Sequence, residues 1–67
     1  MEVSARNKLK GTVKKVLLGQ VAAEVVMDVG GQEVVAVITR QSAQELNLKE
    51  GDSVYAVIKA TDVMIGK

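Results

Sequence analysis

Ser4-Ala5-Arg6-Asn7, followed at once by Leu9-Lys10-Gly11, sets a hydroxyl, a guanidinium and main-chain amides together with no carboxylate among them. Two later segments repeat the theme, Thr39-x-x-Ser42 and Lys59-Ala60-Thr61. Hydroxyl, guanidinium, ammonium and amide groups can all donate hydrogen bonds. A set of donors without neighbouring acceptors suits a small, fully ionised oxyanion. A hard metal ion would instead call for several converging oxygens.

Composition closes most other routes to chemistry. The 67 residues include no cysteine and no histidine, which excludes thiolate chemistry, disulfides, zinc sites and imidazole catalysis. Ser4, Ser42 and Ser53 have no base to activate them and no Ser-x-x-Lys spacing beside them, so the chain reads as a non-enzyme. Glu24 and Asp28 lie four apart on one strand face, where like charges are ordinarily solvated. Net charge is only +1, against the strongly basic face that phosphate-backbone binding requires. Tyr55 is the only aromatic residue. Single-strand binders use several such platforms, each contributing about 1–3 kcal/mol per stacked base. No nucleic-acid partner is expected. No leader-like pattern opens the chain, and the apolar run Val34 to Ile38 is far too short to cross a bilayer. The sequence therefore reads as soluble and cytoplasmic.

The elements that must position these donors are mostly strands. Leu9 to Leu18 predicts a strand with an irregularity at Lys14-Lys15, where the apolar alternation slips. Gly19-Gln20 predicts a turn. Val21, Ala23, Val25, Met27 and Val29 then share one face of a strand, with Glu24 and Asp28 opposite. Gly30-Gly31 signals a tight hairpin rather than a phosphate loop, because no Walker-type residues follow. Gln32 to Ile38 is the return strand. Thr39 to Leu46 predicts one or two helical turns, begun by a capping box at Ser42-x-x-Glu45 or by Thr39 earlier, and anchored by Leu46 and Leu48. Glu50-Gly51-Asp52 is a turn, Ser53 to Ala60 a strand, and Thr61 to Ile65 a shorter last strand. Four or five short strands with one short helix before the penultimate strand give an all-β fold: a small barrel of about five strands, of the oligonucleotide/oligosaccharide-binding type.

Residues 1–67 form one domain on this reading. A domain of this size buries only about 60% of its unfolded surface and is marginal alone. Yet 48% of the residues are apolar. Strands 32–38 and 53–60 are apolar on both faces, whereas an antiparallel strand with one wet face should alternate cleanly. The outer faces therefore call for another subunit.

The donor segments also have plain structural readings. Helix capping explains Thr39 and Ser42 without a ligand. Ser4 to Asn7 fits an ordinary loose terminus, and Lys59 a solvated strand end.

Taken in order, Ser4-Ala5-Arg6-Asn7-x-Leu9-x-Gly11, Glu24-Val25, Ile38-Thr39-x-x-Ser42, Leu46-x-Leu48-x-x-Gly51 and Ile58-Lys59-Ala60-Thr61-x-Val63-Met64 resemble the molbindins, the small molybdenum-pterin-binding Mop proteins of bacteria. The resemblance spans essentially the whole chain. It implies a strand-exchanged dimer assembled as a hexamer, a trimer of dimers. It implies molybdate as ligand, with tungstate as a mimic, held between subunits for intracellular molybdenum storage and homeostasis. The site it implies takes Ser4, Ala5 and Arg6 from the amino-terminal segment and Lys59, Ala60 and Thr61 from the strand end. Thr39 and Ser42 come from the neighbouring chain. Some relatives carry serine where this chain has Ala60, so any donor at that position is the main-chain amide. The alternatives are a molybdopterin-binding module and a purely structural oligomerisation module.

Overall fold

A computed structural model describes residues 5–67. Among these residues the elements are β1 (Asn7–Leu18), β2 (Ala22–Val29), β3 (Gln32–Thr39), a helix α1 (Arg40–Glu45), β4 (Ser53–Ile58) and a 3₁₀ turn (Ala60–Asp62). The strands form one antiparallel sheet in the order β3-β2-β1-β4.

The shape of the sheet is set by β1. Its register with β2 runs Val13↔Met27 and then Lys15↔Val26, so Lys14 is a surplus residue in a bulge. This is where the apolar alternation slips in the sequence. Bulges bend a strand and sharpen its twist. Here the bend lets the first half of β1 pair with β4, from Asn7↔Ile58 to Thr12↔Ser53, and the second half with β2, from Thr12↔Asp28 to Leu18↔Ala23. Gly11 stands where β1 presses directly on the end of β2. A Cβ there would collide with the Asp28 carbonyl oxygen and lie 2.8 Å from Met27 Cε.

The bulge is tied to the turn before β4. The Val13 N–H donates to the Asp52 carbonyl (2.9 Å) and the Gly51 N–H donates to the Val13 carbonyl (2.8 Å). Gly51 has φ +93°, a left-handed conformation that glycine adopts without steric cost. The Asp52 carboxylate accepts from the Lys49 N–H at 2.9 Å and fixes the turn. At the other hairpin, Gly30 (φ +58°) and Gly31 (φ +88°) supply two consecutive positive φ angles, as a primed two-residue turn requires, and set the register Val29↔Gln32.

The core is small: Val13, Ala23, Val25, Met27 and Ala43 are buried. The β2 face is the one its alternation predicts, except that Val21 precedes the strand and is exposed. Of the two expected cap registers, Thr39 is the one used. Ala43 and the half-buried Leu48 seat the helix, whereas Leu46, expected as an anchor, is 66% exposed. The reason lies in the chain path. Asn47 takes a left-handed φ of +51° after the helix, and the Leu48 N–H returns to the Ala43 carbonyl (3.2 Å), which points Leu48 rather than Leu46 inward.

The expected last strand, Thr61 to Ile65, does not form. Hydrogen bonds from the Asp62 N–H to the Lys59 carbonyl (2.9 Å) and from Val63 N–H to the Ala60 carbonyl (3.3 Å) wind the chain into a turn. The segment beyond pairs with no strand edge, and Met64 and Ile65 are each 91% exposed. The barrel is accordingly open, with four strands where about five were expected. The outer face of β3 shows Val35 and Val37 to solvent and that of β4 shows Tyr55 and Val57, as the two-sided apolar pattern implies. No helix among the described residues is long and apolar enough to cross a membrane.

Candidate oxyanion-binding site

The pairing of β1 with β4 ends at Asn7↔Ile58. The residues just beyond that last pair, Arg6 on one side and Lys59 on the other, are therefore brought together by the ladder itself. Ala5, Arg6, Lys59, Ala60 and Thr61 line one open depression of about 280 Å³. Two segments that lie more than fifty residues apart in sequence thus share a site because one antiparallel register ends between them.

Each contributes donors. Arg6 brings a planar guanidinium fork and Lys59 an ammonium group. Lys59 is extended (φ −63°, ψ 140°) and leads into the 3₁₀ turn. The first N–H groups of such a turn, those of Ala60 and Thr61, have no partner within it. Thr61 adds a hydroxyl. No carboxylate lines the depression. Among the described residues the one ion pair is elsewhere, between Lys14 Nζ and Glu33 Oε1 at 2.9 Å. The hydrogen bond and charge of Glu33 hold the Lys14 ammonium above the ordinary lysine value. Arg6 and Lys59 have no such neutralising neighbour among the described residues.

Thr39 and Ser42 form a separate group at the junction of β3 and α1. Thr39 Oγ1 accepts from the Ser42 N–H at 3.0 Å and donates to Ser42 Oγ at 2.7 Å. The Thr39 hydroxyl is spent in both directions, and one lone pair of Ser42 is occupied. The Ser42 proton is left to point at something else. The capping role expected from sequence is real, and it leaves one hydroxyl available as a donor. This pair does not line the depression. It sits at the end of β3, which occupies the edge of the sheet opposite β4. So one chain assembles two of the three donor segments and holds the third apart. Ser4, the remaining candidate, lies outside the described residues.

Arg40 was not singled out by the sequence. Its N–H donates to the Val21 carbonyl (2.8 Å) and its Nη1 to the Gly19 carbonyl (2.9 Å), pinning the start of α1 to the β1–β2 turn and so placing Thr39 and Ser42. A basic residue in the first turn of a helix opposes the helix dipole, and that mismatch was the available signal. A second hollow of about 200 Å³ opens where α1 rises off β1, lined by Val16, Leu18, Ala43, Gln44, Asn47 and Leu48. Among the described residues no group of three histidine, cysteine or acidic side chains is placed to hold a metal ion.

An open sheet of the oligonucleotide/oligosaccharide-binding kind, carrying a cationic depression where its first and last strands end, defines the class of protein. The chain belongs to the TOBE domain family, whose model matches residues 3–65, and within it to the molbindins, the molybdenum-pterin-binding Mop proteins. Molybdenum-pterin-binding proteins 3 and 1 of Clostridium pasteurianum are 52% and 48% identical to it, each over 97% of this chain and 97% of their own. Among solved structures, a molybdate binding protein from Sporomusa ovata superposes with a TM-score of 0.94 at 48% identity over the full length of both chains. The cytoplasmic molybdate-binding protein ModG, in a form with molybdate bound, gives a TM-score of 0.83 at 48% identity, over 90% of this chain and 43% of that one.

Proposed function

We propose that this protein binds molybdate, and tungstate in its place, at sites shared between subunits of a homo-oligomer, and that it stores molybdenum in the cytoplasm without catalysing a reaction. The observation that carries the reading is the depression at Arg6 and Lys59, lined by donors and free of carboxylates. Molybdate at neutral pH is a tetrahedral dianion with four acceptor oxygens and no proton to give. Arg6 meets two of those oxygens with its fork, Lys59 supplies a point charge, and the amides of Ala60 and Thr61 fill in around them. Ala5 closes the amino-terminal side. The free proton of Ser42, oriented by Thr39, comes from a neighbouring chain, which is why the pair stands away from the depression in its own chain. Sulfate carries the same charge, so discrimination rests on size and on how rigidly the donors are spaced. A pterin ring would want an aromatic platform, and Tyr55, the sole candidate, does not line the depression.

The open barrel supports the oligomer. Beyond Val13, β1 is paired on one side only, by β2. The hollow beside it has an apolar floor of Val16, Leu18, Ala43 and Leu48. The exposed tail Val63-Met64-Ile65 is an unpaired apolar segment of matching character. Exchange of that tail between neighbouring copies buries both surfaces. The molbindin resemblance read in the sequence implies a hexamer built as a trimer of dimers, and we take each chain to be a single domain of it.

Thermal melts with molybdate, tungstate and sulfate test the reading. Binding stabilises the folded assembly by about 2.7 kcal/mol at a hundredfold excess over the dissociation constant. Molybdate and tungstate should raise Tm well beyond sulfate at equal concentration. An unchanged Tm, or an equal rise with sulfate, refutes it.

A further inference from the structure

Lys8, Lys10 and Thr12 share one face of β1, and the register sets them opposite Val57, Tyr55 and Ser53. Neither β1 nor β4 contains aspartate or glutamate, so the nearest acidic residue on that face is Asp28 of β2, opposite Thr12. Lys8 and Lys10 are exposed, and neither takes part in an ion pair among the described residues. A strand advances about 3.4 Å per residue, so Lys10 lies roughly 7 Å along β1 from Lys8, and Arg6 stands at the bend just before the strand. Lys10, Lys8 and Arg6 therefore succeed one another toward the depression, where Lys59 adds a fourth cation. The acidic residues of the sheet stand at the other end. Asp28 pairs with Thr12 and with Glu33, and Glu24 lies further along β2. With a net charge of only +1, the chain has no general excess of positive charge to produce such a row. The polarity comes from arrangement.

Neither Lys8 nor Lys10 lines the depression. We infer that these two lysines steer: they raise the rate at which a tetraoxo dianion reaches the Arg6–Lys59 depression without holding it once there. The inference rests on the oxyanion reading of that depression. Clefts and stripes of one sign concentrate counter-ions and speed association, and salt removes the effect. The Debye length is about 30 Å at 0.01 M salt and about 3 Å at 1 M. The stripe thus lies wholly within range of the incoming ion at low salt and outside it at high salt.

The test compares association and dissociation of molybdate, by rapid filtration with radiolabelled anion, for the wild-type assembly, for K8Q/K10Q and for K15Q/K49Q. The last pair removes the same charge from positions outside the row, Lys15 beyond the bulge and Lys49 between α1 and β4. Association by K8Q/K10Q should be slower by about fivefold at ~0.01 M salt, with the deficit gone at ~1 M. Its dissociation rate should match wild type, and K15Q/K49Q should behave as wild type throughout. Equal association by both variants overturns the inference while leaving the oxyanion site standing. So does a deficit that appears in dissociation, since that marks a direct contact. Failure of the wild type to take up molybdate refutes the site and the stripe together. Should K8Q/K10Q not assemble, the wild type alone decides the matter. Its association rate must fall by about tenfold across that salt range, and a flat profile overturns the inference.

Discussion

The cationic depression and the hydroxyl pair are opposites in construction. Arg6 and Lys59 supply charge with little fixed geometry: long side chains, an open hollow, no neutralising partner among the described residues. Thr39 and Ser42 supply fixed geometry with no charge: two short side chains locked to each other at 2.7 and 3.0 Å on a helix start that Arg40 holds in place. On the proposed reading one half attracts an anion and the other measures it. The pair stands on the edge strand opposite β4 and does not line the depression, and the proposal therefore takes the two halves from two copies.

The sharpest way to break this contrast is at Arg6. Hydrogen bonds to charged groups contribute about 1.5–3 kcal/mol, and tenfold in affinity is about 1.4 kcal/mol. Arg6→Ala should therefore weaken molybdate binding more than tenfold in equilibrium dialysis while leaving the mass of the assembly unchanged. Arg6→Lys should recover only part of the loss, because it restores charge without the fork. A wild-type titration curve from Arg6→Ala would remove the depression from the site.

Ser42→Ala should cost less, about two- to tenfold, as befits one neutral hydrogen bond of about 0.5–1.5 kcal/mol. If its loss equals that of Arg6→Ala, the division of labour is wrong. The same two variants sharpen the comparison when co-assembled. If the halves come from different copies, mixing Arg6→Ala chains with Ser42→Ala chains regenerates intact sites, and binding recovers above that of either variant. No recovery means that the halves belong to one chain.

The smallest binding effect belongs to Thr39, which positions Ser42. Thr39→Ala removes the helix cap and should cost about 1 kcal/mol of stability, a fall in Tm of about 4–8 °C for a domain of this size. Thr39→Asn, another good cap, should restore the melt but not the orientation of the Ser42 proton. A melt unchanged by Thr39→Ala would show that the cap is not what holds the pair.

Much of this was legible in the sequence where a local rule fixes the outcome. Gly30-Gly31 demanded a primed turn, the slipped alternation at Lys14-Lys15 marked an irregularity that the structure resolves as a bulge, and Thr39 was visible as a cap. The meeting of Arg6 with Lys59 was not a local matter. It depends on where the β1–β4 register ends, and no spacing along the chain reports that. Recognition of the molbindin pattern supplied it instead. Two expectations failed for the same reason. Leu46 was placed in the core and Thr61 to Ile65 in a strand because both are apolar, and apolarity alone does not say whether the partner is in the same chain. Arg40 escaped notice because its role is to reach a turn twenty residues earlier, through a carbonyl that no composition marks.

Lys14 gives β1 one residue more than its ladder needs. Deleting it would leave Val13, Lys15 and Val16 facing as they do now, since the remaining residues already alternate in step with β2. What would go is the bend. A straight strand cannot serve β4 with one half and β2 with the other at the present angle, so the cationic hollow at its head and the apolar hollow at its foot would shift relative to each other. On the proposed assembly, a single-residue deletion that is silent for the core would then change the angle at which neighbouring copies meet.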